Sequence, residues 1–393
     1  MSRFLFVAPP FAGHVLPLAS IGVELASRGH DVAWVSYDAA RPWVPDGGAW
    51  FTVPPDPALE SATGAARAPP PRFLAAEFAV FYRDVVVPMA VAMLPHVDAA
   101  VAAWRPDVLV IDQHALAGSL VARRRGLPWA TSSPSSLLYG QALASHAPAR
   151  RWLSGLFAAV QRDAGVDPVE SPDVSPHLVL LFTSRGLAGE AGEFPAHYRF
   201  VGPALAHRRD PDGFPWEALR RRPRIIVSLG SVLAQHGERF FATLAAALRD
   251  QAVEVVVGAP DGVLRDAPPN FIVRAWLPQL SLLPHADACL SHGGSFAVES
   301  LANGVPLVLA PVWTDQFATA RAIVAAGAGV RVRYGRVGAD ELRQAVHDVL
   351  FVPQYRAAAR SAQAGLLAAG GTPAAADHVI ALARAEPPAA GGS

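Results

Sequence analysis

Two residues in the first half of the chain, His14 and Asp112, could act together as a general base. His14 follows a Gly-containing turn in PPFAGHVLPL, and Asp112 ends the apolar run VLVID. An imidazole titrates near neutral pH and can take a proton from a hydroxyl group. A carboxylate on its other ring nitrogen fixes the tautomer and stabilises the imidazolium, as in a catalytic triad. The ordinary alternatives are local hydrogen bonding by His14 and helix capping by Asp112.

A second set of candidates, in the second half, could bind a diphosphate and sugars. His292-Gly293-Gly294 follows the run ACLS and begins a predicted helix, where an imidazole and free N–H groups suit a phosphate. Glu299, on that helix, can accept hydrogen bonds from ribose hydroxyls. Asp315-Gln316 follow PLVLAPVWT and offer acceptors and a donor to sugar hydroxyls. A solvated helix glutamate and a helix N-cap are the alternatives for Glu299 and Asp315.

Further positions fit the same nucleotide site. Trp276 ends the run NFIVRAW, and an indole at a strand end can stack on a nucleobase. Leu277 follows it directly, and Gln279 lies three positions after it. The turn SLGSV, which contains Ser231, has small residues that let backbone N–H groups approach a phosphate. A half-buried tryptophan and a tight turn without a ligand are the alternatives.

The elements that must position these residues are parallel strands covered by helices. Apolar runs such as FLFVAP, DVAWVSY and VLVID in the first half, and RIIVSLGS, VEVVVG and PLVLAP in the second, alternate with longer helical stretches. Continuous apolar strands separated by helices indicate parallel sheets, in which ligands lie outside the carboxyl ends of the strands. We therefore predict an α/β fold of two doubly wound, Rossmann-like domains.

Composition places the domain boundaries. Residues 1–205 form the first predicted domain and residues 223–370 the second. Residues 206–222 are rich in Pro, Gly, Asp and Arg without an apolar period, which predicts a linker. Residues 371–386 form a predicted C-terminal helix, and the low-complexity residues 387–393 are expected to be a disordered tail.

Composition also excludes several classes of function. The 393 residues carry no net charge, which disfavours nucleic acid and acidic membranes as partners. All 33 residues counted as lysine plus arginine are arginine, so a P-loop and a pyridoxal phosphate Schiff base are excluded. The single cysteine, Cys289, is expected to be a buried, inert thiol in a cytoplasmic protein. No run of eighteen uninterrupted apolar residues is present, so membrane insertion is not expected.

The motifs together resemble those of a known family. Trp276-x-Pro278-Gln279, His292-Gly293-Gly294, Glu299-Ser300, Gly304-Val305-Pro306, Pro311 and Asp315-Gln316 resemble the nucleotide-sugar signature of the family 1 glycosyltransferases. GHVLPL and the Asp that ends VLVID match the same family, and the likeness covers essentially the whole chain. The nearest relatives are expected among bacterial enzymes that glycosylate natural products, including antibiotics.

The resemblance implies the GT-B fold, with the active site in the cleft between an acceptor-binding N-terminal domain and a donor-binding C-terminal domain. Residues 371–386 would then cross back to the N-terminal domain. The implied reaction is inverting transfer of a sugar from an NDP-sugar, with a UDP or TDP carrier, to an acceptor hydroxyl, without a metal or other cofactor. The protein would be a monomer or homodimer. The implied roles are base for His14, partner of that base for Asp112, nucleobase stacking for Trp276, nucleoside contact for Gln279, diphosphate binding for His292 with the next N–H groups, ribose binding for Glu299, and donor-sugar binding for Asp315 and Gln316.

The chain departs from the family pattern after His292. The segment HGGSFAVE is one residue shorter than usual, and Phe296 and Ala297 stand where polar residues are common. Ser295 is the replacement that we predict for the phosphate-binding hydroxyl, together with Ser231 of the SLGSV turn.

The acceptor site is expected in the apolar middle of the N-terminal domain. Aromatic residues there suit a lipophilic acceptor, although core packing explains each of them equally well: Phe73, Phe78, Phe81, Tyr82 and Trp152. Two alternative functions remain open from the sequence. A nucleotide-sugar 2-epimerase of the same architecture would release free UDP without an acceptor, and a non-catalytic homologue would bind donor without turnover.

Overall fold

The computed structural model describes residues 1–55, 81–134, 146–188, 194–208, 210, 213–220, 222–230, 234 and 237–385. Within these residues the chain forms two parallel β-sheets, of seven and six strands, packed against helices. The predicted α/β fold with two doubly wound domains is confirmed.

The first sheet belongs to the N-terminal domain: its first strand precedes His14, and its fourth strand ends at Asp112. Its strands are β1 Arg3–Val7, β2 Asp31–Tyr37, β3 Ala49–Val53, β4 Val108–Asp112, β5 Trp129–Ser133, β6 Leu178–Leu181 and β7 Tyr198–Phe200. Its helices are α1 Ala12–Ser27, α2 Val87–Trp104, α3 Leu116–Arg125, α4 Ala147–Asp163 and α5 Arg185–Ala188. Alternate residues of β1 enter different cores, Phe4 and Phe6 on one face of the sheet and Leu5 and Val7 on the other. This two-sided burial explains why the strands are continuous apolar runs.

The second sheet repeats this arrangement. Its strands are β8 Arg224–Ser228, β9 Glu254–Gly258, β10 Phe271–Arg274, β11 Ala288–Ser291, β12 Leu307–Leu309 and β13 Gly329–Arg331. Its helices are α6 Glu238–Leu248, α7 Gln279–Leu282, α8 Ser295–Ala302, α9 Thr314–Ala325, α10 Ala339–Phe351 and α11 Pro353–Ala368. Val227 and Ile226 enter different cores on its two faces.

The strand orders locate the ligand-binding crevices. The first sheet runs β3-β2-β1-β4-β5-β6-β7 and the second β10-β9-β8-β11-β12-β13, with every pair parallel. The direction of strand addition reverses between β1 and β4, and again between β8 and β11. The helices that follow the two strands of such a pair lie on opposite faces, so a crevice opens at their carboxyl ends.

The last helix, α12 (Gly371–Arg384), packs on the first domain. Ala376 and Val379 lie in the core beneath α1, and Asp377 pairs with Arg28, the residue that follows the end of α1. Gly370 and Gly371 have φ angles of 92° and 61°, which let the chain turn sharply away from α11. The helix therefore crosses from one domain to the other, as the family resemblance implied.

The segment between the sheets is packed, although its composition suggested a simple linker. Phe214 is 8% exposed and lies in the core of the second domain, and Leu205 packs against the same core. His207 contacts Glu24 of α1 with a 2.6 Å separation between Nε2 and Oε2. Isolated apolar anchors such as Phe214 have no period along the chain, so the sequence pattern did not reveal this packing.

Two helical stretches, Tyr82–Trp104 and Pro353–Arg384, have the length and apolar composition of a membrane span. In the structure Met89, Met93 and Val97 of the first stretch pack into the core of the N-terminal domain. The second stretch contains α11 and α12, whose buried faces pack on the second and first domains respectively. Packing within the protein thus accounts for the apolar faces of both.

Candidate active site

His14 and Asp112 are brought together at the crevice of the first sheet. His14 lies in the first turn of α1, after β1, and Asp112 is the last residue of the neighbouring strand β4. Nδ1 of His14 is 2.9 Å from Oδ2 and 3.0 Å from Oδ1 of Asp112. The Asp112 side chain is fully buried, whereas that of His14 is 20% exposed. With Nδ1–H donating to Asp112, Nε2 of His14 is the nitrogen that can accept a proton.

The surroundings of His14 set its basicity. Burial lowers the pKa of the imidazole, but the charge of Asp112 and its hydrogen bond together outweigh burial, and Asp315 adds to them. The net result is a pKa above the ordinary value for histidine. An imidazole of this kind is a stronger base than a free histidine once it has lost its proton.

His114, which the sequence analysis missed, is part of the same cluster. Its ring centroid is 4.4 Å from that of His14, with 37° between the planes. Its backbone N–H donates to Oδ1 of Asp112 at 2.9 Å, which helps to hold the carboxylate. Burial, with a further contribution from the charge of His14, places the pKa of His114 well below its ordinary value. The only sequence signal was its position two residues after Asp112, in the turn that leaves the strand.

His14, Asp112 and His114 also have the spacing of a metal site, since one ligand atom from each lies within 4.8 Å of the others. Nδ1 of His14, however, lies within hydrogen-bond distance of both oxygens of Asp112. A metal ion would have to compete with this contact. The contact between His14 and Asp112 already pairs a base with the carboxylate that orients it.

Two residues of the C-terminal domain face the base across the cleft. Asp315, in the first turn of α9, is close enough to His14 for each charge to shift the other's pKa. Burial raises the pKa of Asp315, and the charge of His14 opposes this effect. A Cβ built on Gly13 would lie 3.8 Å from Oγ of Ser295, the first residue of α8. The start of α1 therefore meets the starts of α8 and α9.

The His292 turn occupies the crevice of the second sheet. A Cβ on Gly230 or on Gly294 would lie 2.9 Å or 2.6 Å from the nearest atom of the His292 ring, so the imidazole is held between the two glycines. Burial lowers the pKa of His292 to about 4, against an opposing hydrogen bond to the backbone of Ser228. His292 is thus neutral near pH 7 and has a single ring N–H, which the backbone of Ser228 already accepts. The donors left for a diphosphate here are the backbone N–H groups at the N-terminus of α8.

The Trp276–Gln279 motif lies beside this crevice. Trp276 is 45% exposed, which leaves its indole face open to a nucleobase. Leu277 is 4% exposed and packs where a Cβ on Gly258 would lie 3.3 Å from it, so its side chain belongs to the core. Nε2 of Gln279 donates to Oγ of Ser228 at 2.8 Å. Only Trp276 and the free part of the Gln279 amide are available to a nucleoside through their side chains.

Glu299 is one helical turn beyond Ser295 on α8, and its side chain is 6% exposed. Its Oε1 forms an ion pair with Nη1 of Arg208, a residue of the interdomain segment whose side chain is 11% exposed. Its buried Oε2 has no hydrogen-bond partner within the described part of the chain. The sequence analysis predicted the acid but not its arginine partner.

Gln316 has a structural contact of its own. Its Oε1 accepts hydrogen bonds from the backbone N–H groups of Val312 and Trp313, at 2.9 and 3.0 Å. The residue is 4% exposed and ties the loop after β12 to α9. These bonds leave its amide nitrogen for a sugar hydroxyl.

The described aromatic candidates for the acceptor site differ in position. The Phe81 ring lies 5.2 Å from that of His114, which places it beside the base cluster. Tyr82 is fully buried against Phe157, so the structure does not support its assignment to the acceptor surface. Trp152 is 39% exposed on α4. Phe73, Phe78 and the donor candidate Ser231 lie outside the described residues.

Comparisons with known proteins agree with this geometry. Residues 194–361 match the family model for UDP-glucoronosyl and UDP-glucosyl transferase. The chain is 29% identical to 4'-demethylrebeccamycin synthase of Lentzea aerocolonigenes, over 90% of this chain and 93% of the relative. It is also 29% identical to demethyllactenocin mycarosyltransferase of Streptomyces fradiae, over 97% and 87%. The solved structure of the kitacinnamycin glycosyltransferase superposes with a TM-score of 0.76 at 28% identity, covering 97% of this chain and 99% of that one.

Proposed function

Because the chain is a family 1 glycosyltransferase with the GT-B fold, we propose that it transfers a sugar from a UDP- or TDP-sugar to a hydroxyl group of a lipophilic natural product. The relatives named above are bacterial natural-product glycosyltransferases, which supports a small-molecule acceptor. The observation that carries the proposal is the His14–Asp112 pair, which faces Asp315 across the cleft. We further propose that the enzyme works in the cytoplasm.

The proposed mechanism is a direct displacement with inversion. Nε2 of His14 takes the proton of the acceptor hydroxyl as its oxygen attacks the anomeric carbon, and Asp112 stabilises the imidazolium. The diphosphate leaves from the opposite face toward the His292 turn and the N-terminus of α8. Backbone N–H groups and the helix dipole there stabilise the developing negative charge without a metal.

The test is replacement of His14 with a matched control. His14→Ala should reduce turnover by about 10²–10⁴-fold, which is the usual contribution of a general base. Its affinity for UDP or TDP, measured by calorimetry, should remain unchanged because the nucleotide binds to the other domain. His347→Ala, which changes a histidine with a 59% exposed side chain on α10, should leave the rate unchanged. Assays with and without EDTA should give the same rate.

Three outcomes would contradict the proposal. Near-normal turnover by His14→Ala would remove the assigned base. Release of free UDP without any acceptor would indicate the epimerase alternative. Nucleotide binding without turnover across a broad panel of acceptors would indicate a non-catalytic homologue.

A further inference from the structure

Arg208 reaches from the interdomain segment to the acid that the donor pentose is expected to contact. It pairs with Oε1 of Glu299, and both side chains are nearly buried, at 11% and 6% exposure. Two neighbours of Arg208 in the chain are also held. Asp210 accepts from the N–H of Ser281 at 2.9 Å, and His207 contacts Glu24 of α1. The arginine is therefore fixed against both domains rather than left free in solvent.

This ion pair divides the two oxygens of Glu299 between different roles. Oε1 is covered by the guanidinium, whereas Oε2 is buried and has no partner among the residues that the structure describes. A buried carboxylate oxygen without a donor is unfavourable, so a ligand hydroxyl that donates to Oε2 would stabilise the site. Glu299 lies one turn from Ser295 on the face of α8 that meets the cleft, which is the side from which a donor enters.

With only Oε2 of Glu299 available, the carboxylate matches a pentose that has one free hydroxyl group. A ribose presents adjacent 2'- and 3'-hydroxyls, and a carboxylate with both oxygens free can accept from both. Here Oε1 is already paired with the guanidinium of Arg208, which would compete with a second ribose hydroxyl for that oxygen. A 2'-deoxyribose presents only the 3'-hydroxyl, which Oε2 can satisfy alone.

We propose that Arg208 is a specificity-determining residue of the donor site, which by occupying one oxygen of Glu299 selects 2'-deoxynucleoside diphosphates over ribonucleoside diphosphates. The inference rests on the proposed function, since it concerns the donor of that reaction, and it narrows the carrier from UDP or TDP to TDP. Burial of a 2'-hydroxyl that lacks its partner costs about one net hydrogen bond, which corresponds to a roughly 2–10-fold weaker affinity.

Calorimetric titration of the intact protein with UDP, 2'-deoxy-UDP and TDP tests this proposal. Comparison of the first two isolates the 2'-hydroxyl, because they carry the same base. The wild-type protein should bind 2'-deoxy-UDP about 2–10-fold more tightly than UDP. Arg208→Ala should abolish this preference because Oε1 becomes available to the 2'-hydroxyl. Arg222→Ala, which removes another arginine of the same segment from its ion pair with Asp287, should keep it.

The outcomes separate this proposal from the general function. Equal or tighter binding of UDP by the wild-type protein overturns the role of Arg208 but leaves the glycosyltransferase assignment intact. A preference that survives in a folded Arg208→Ala variant overturns it as well. Failure of all three nucleotides to bind would contradict the proposed donor site itself. The wild-type comparison decides the question even if Arg208→Ala does not fold.

Discussion

Replacement of Gly293 by alanine tests the packing of the donor site most directly. Gly293 has a φ of 98°, a conformation that L-residues with a side chain rarely adopt. A Cβ at this position would also lie 2.8 Å from the backbone oxygen of Gln316, in the first turn of α9. That oxygen belongs to the backbone and cannot move aside like the end of a flexible side chain. The variant therefore combines backbone strain with a steric clash.

The expected loss of stability can be divided between these two causes. The left-handed conformation costs a non-glycine residue about 1–2 kcal/mol. Overpacking against a rigid neighbour adds about 1–3 kcal/mol, so Gly293→Ala should lower the free energy of unfolding by about 2–5 kcal/mol. Gly262 has a φ of 82° and open space around its Cβ position, so Gly262→Ala should show the strain alone. Gly335 has open space and no positive φ, so Gly335→Ala should have little effect.

Urea unfolding of the three variants, followed by tryptophan fluorescence, measures these differences. Calorimetric titration with nucleotide should show weaker binding only for Gly293→Ala, because only that substitution pushes the His292 turn away from the helix that carries Asp315. If Gly293→Ala is no more destabilised than Gly262→Ala, the close approach to Gln316 does not exist and the geometry derived for the donor site is wrong. Weaker nucleotide binding by Gly262→Ala would show that the loss of binding does not come from displacement of the His292 turn.

Two further predictions follow from the pKa shifts. In Asp112→Asn the charge that raises the pKa of His14 is lost, while burial still lowers that pKa. The rising limb of the kcat/KM profile against pH should therefore move to lower pH, and the plateau value of kcat/KM should fall. If the rising limb stays in place, a group other than His14 titrates there. Cys289 is fully buried and its pKa is raised to about 12, mainly by burial, so a thiol reagent at pH 8 should label the unfolded chain but not the native protein. Labelling of the native protein faster than it unfolds would contradict the packing around β11.

The sequence by itself determined the fold class and the places of most candidate residues. His14 and Asp112 each follow or end an apolar run, and so do His292 and Asp315. Because the strands of a doubly wound sheet are parallel, their carboxyl ends share one edge, and residues at successive strand ends are brought close together. Local patterns were therefore sufficient to place each pair of residues at the ligand-binding edge of its own sheet, whereas the single cleft between the two domains was implied by the family resemblance.

Only the tertiary structure decided which of these residues touch, and what else joins them. The His114 ring lies beside that of His14 with 37° between their planes, and Arg208 pairs with Glu299 across 91 positions of the chain. Gln316, predicted to contact the sugar, uses its carbonyl oxygen to hold its own loop. Such contacts depend on how the two domains and their connecting segment pack against one another. No periodicity or motif spacing encodes that packing, because it is a property of surfaces that meet only after each domain has folded.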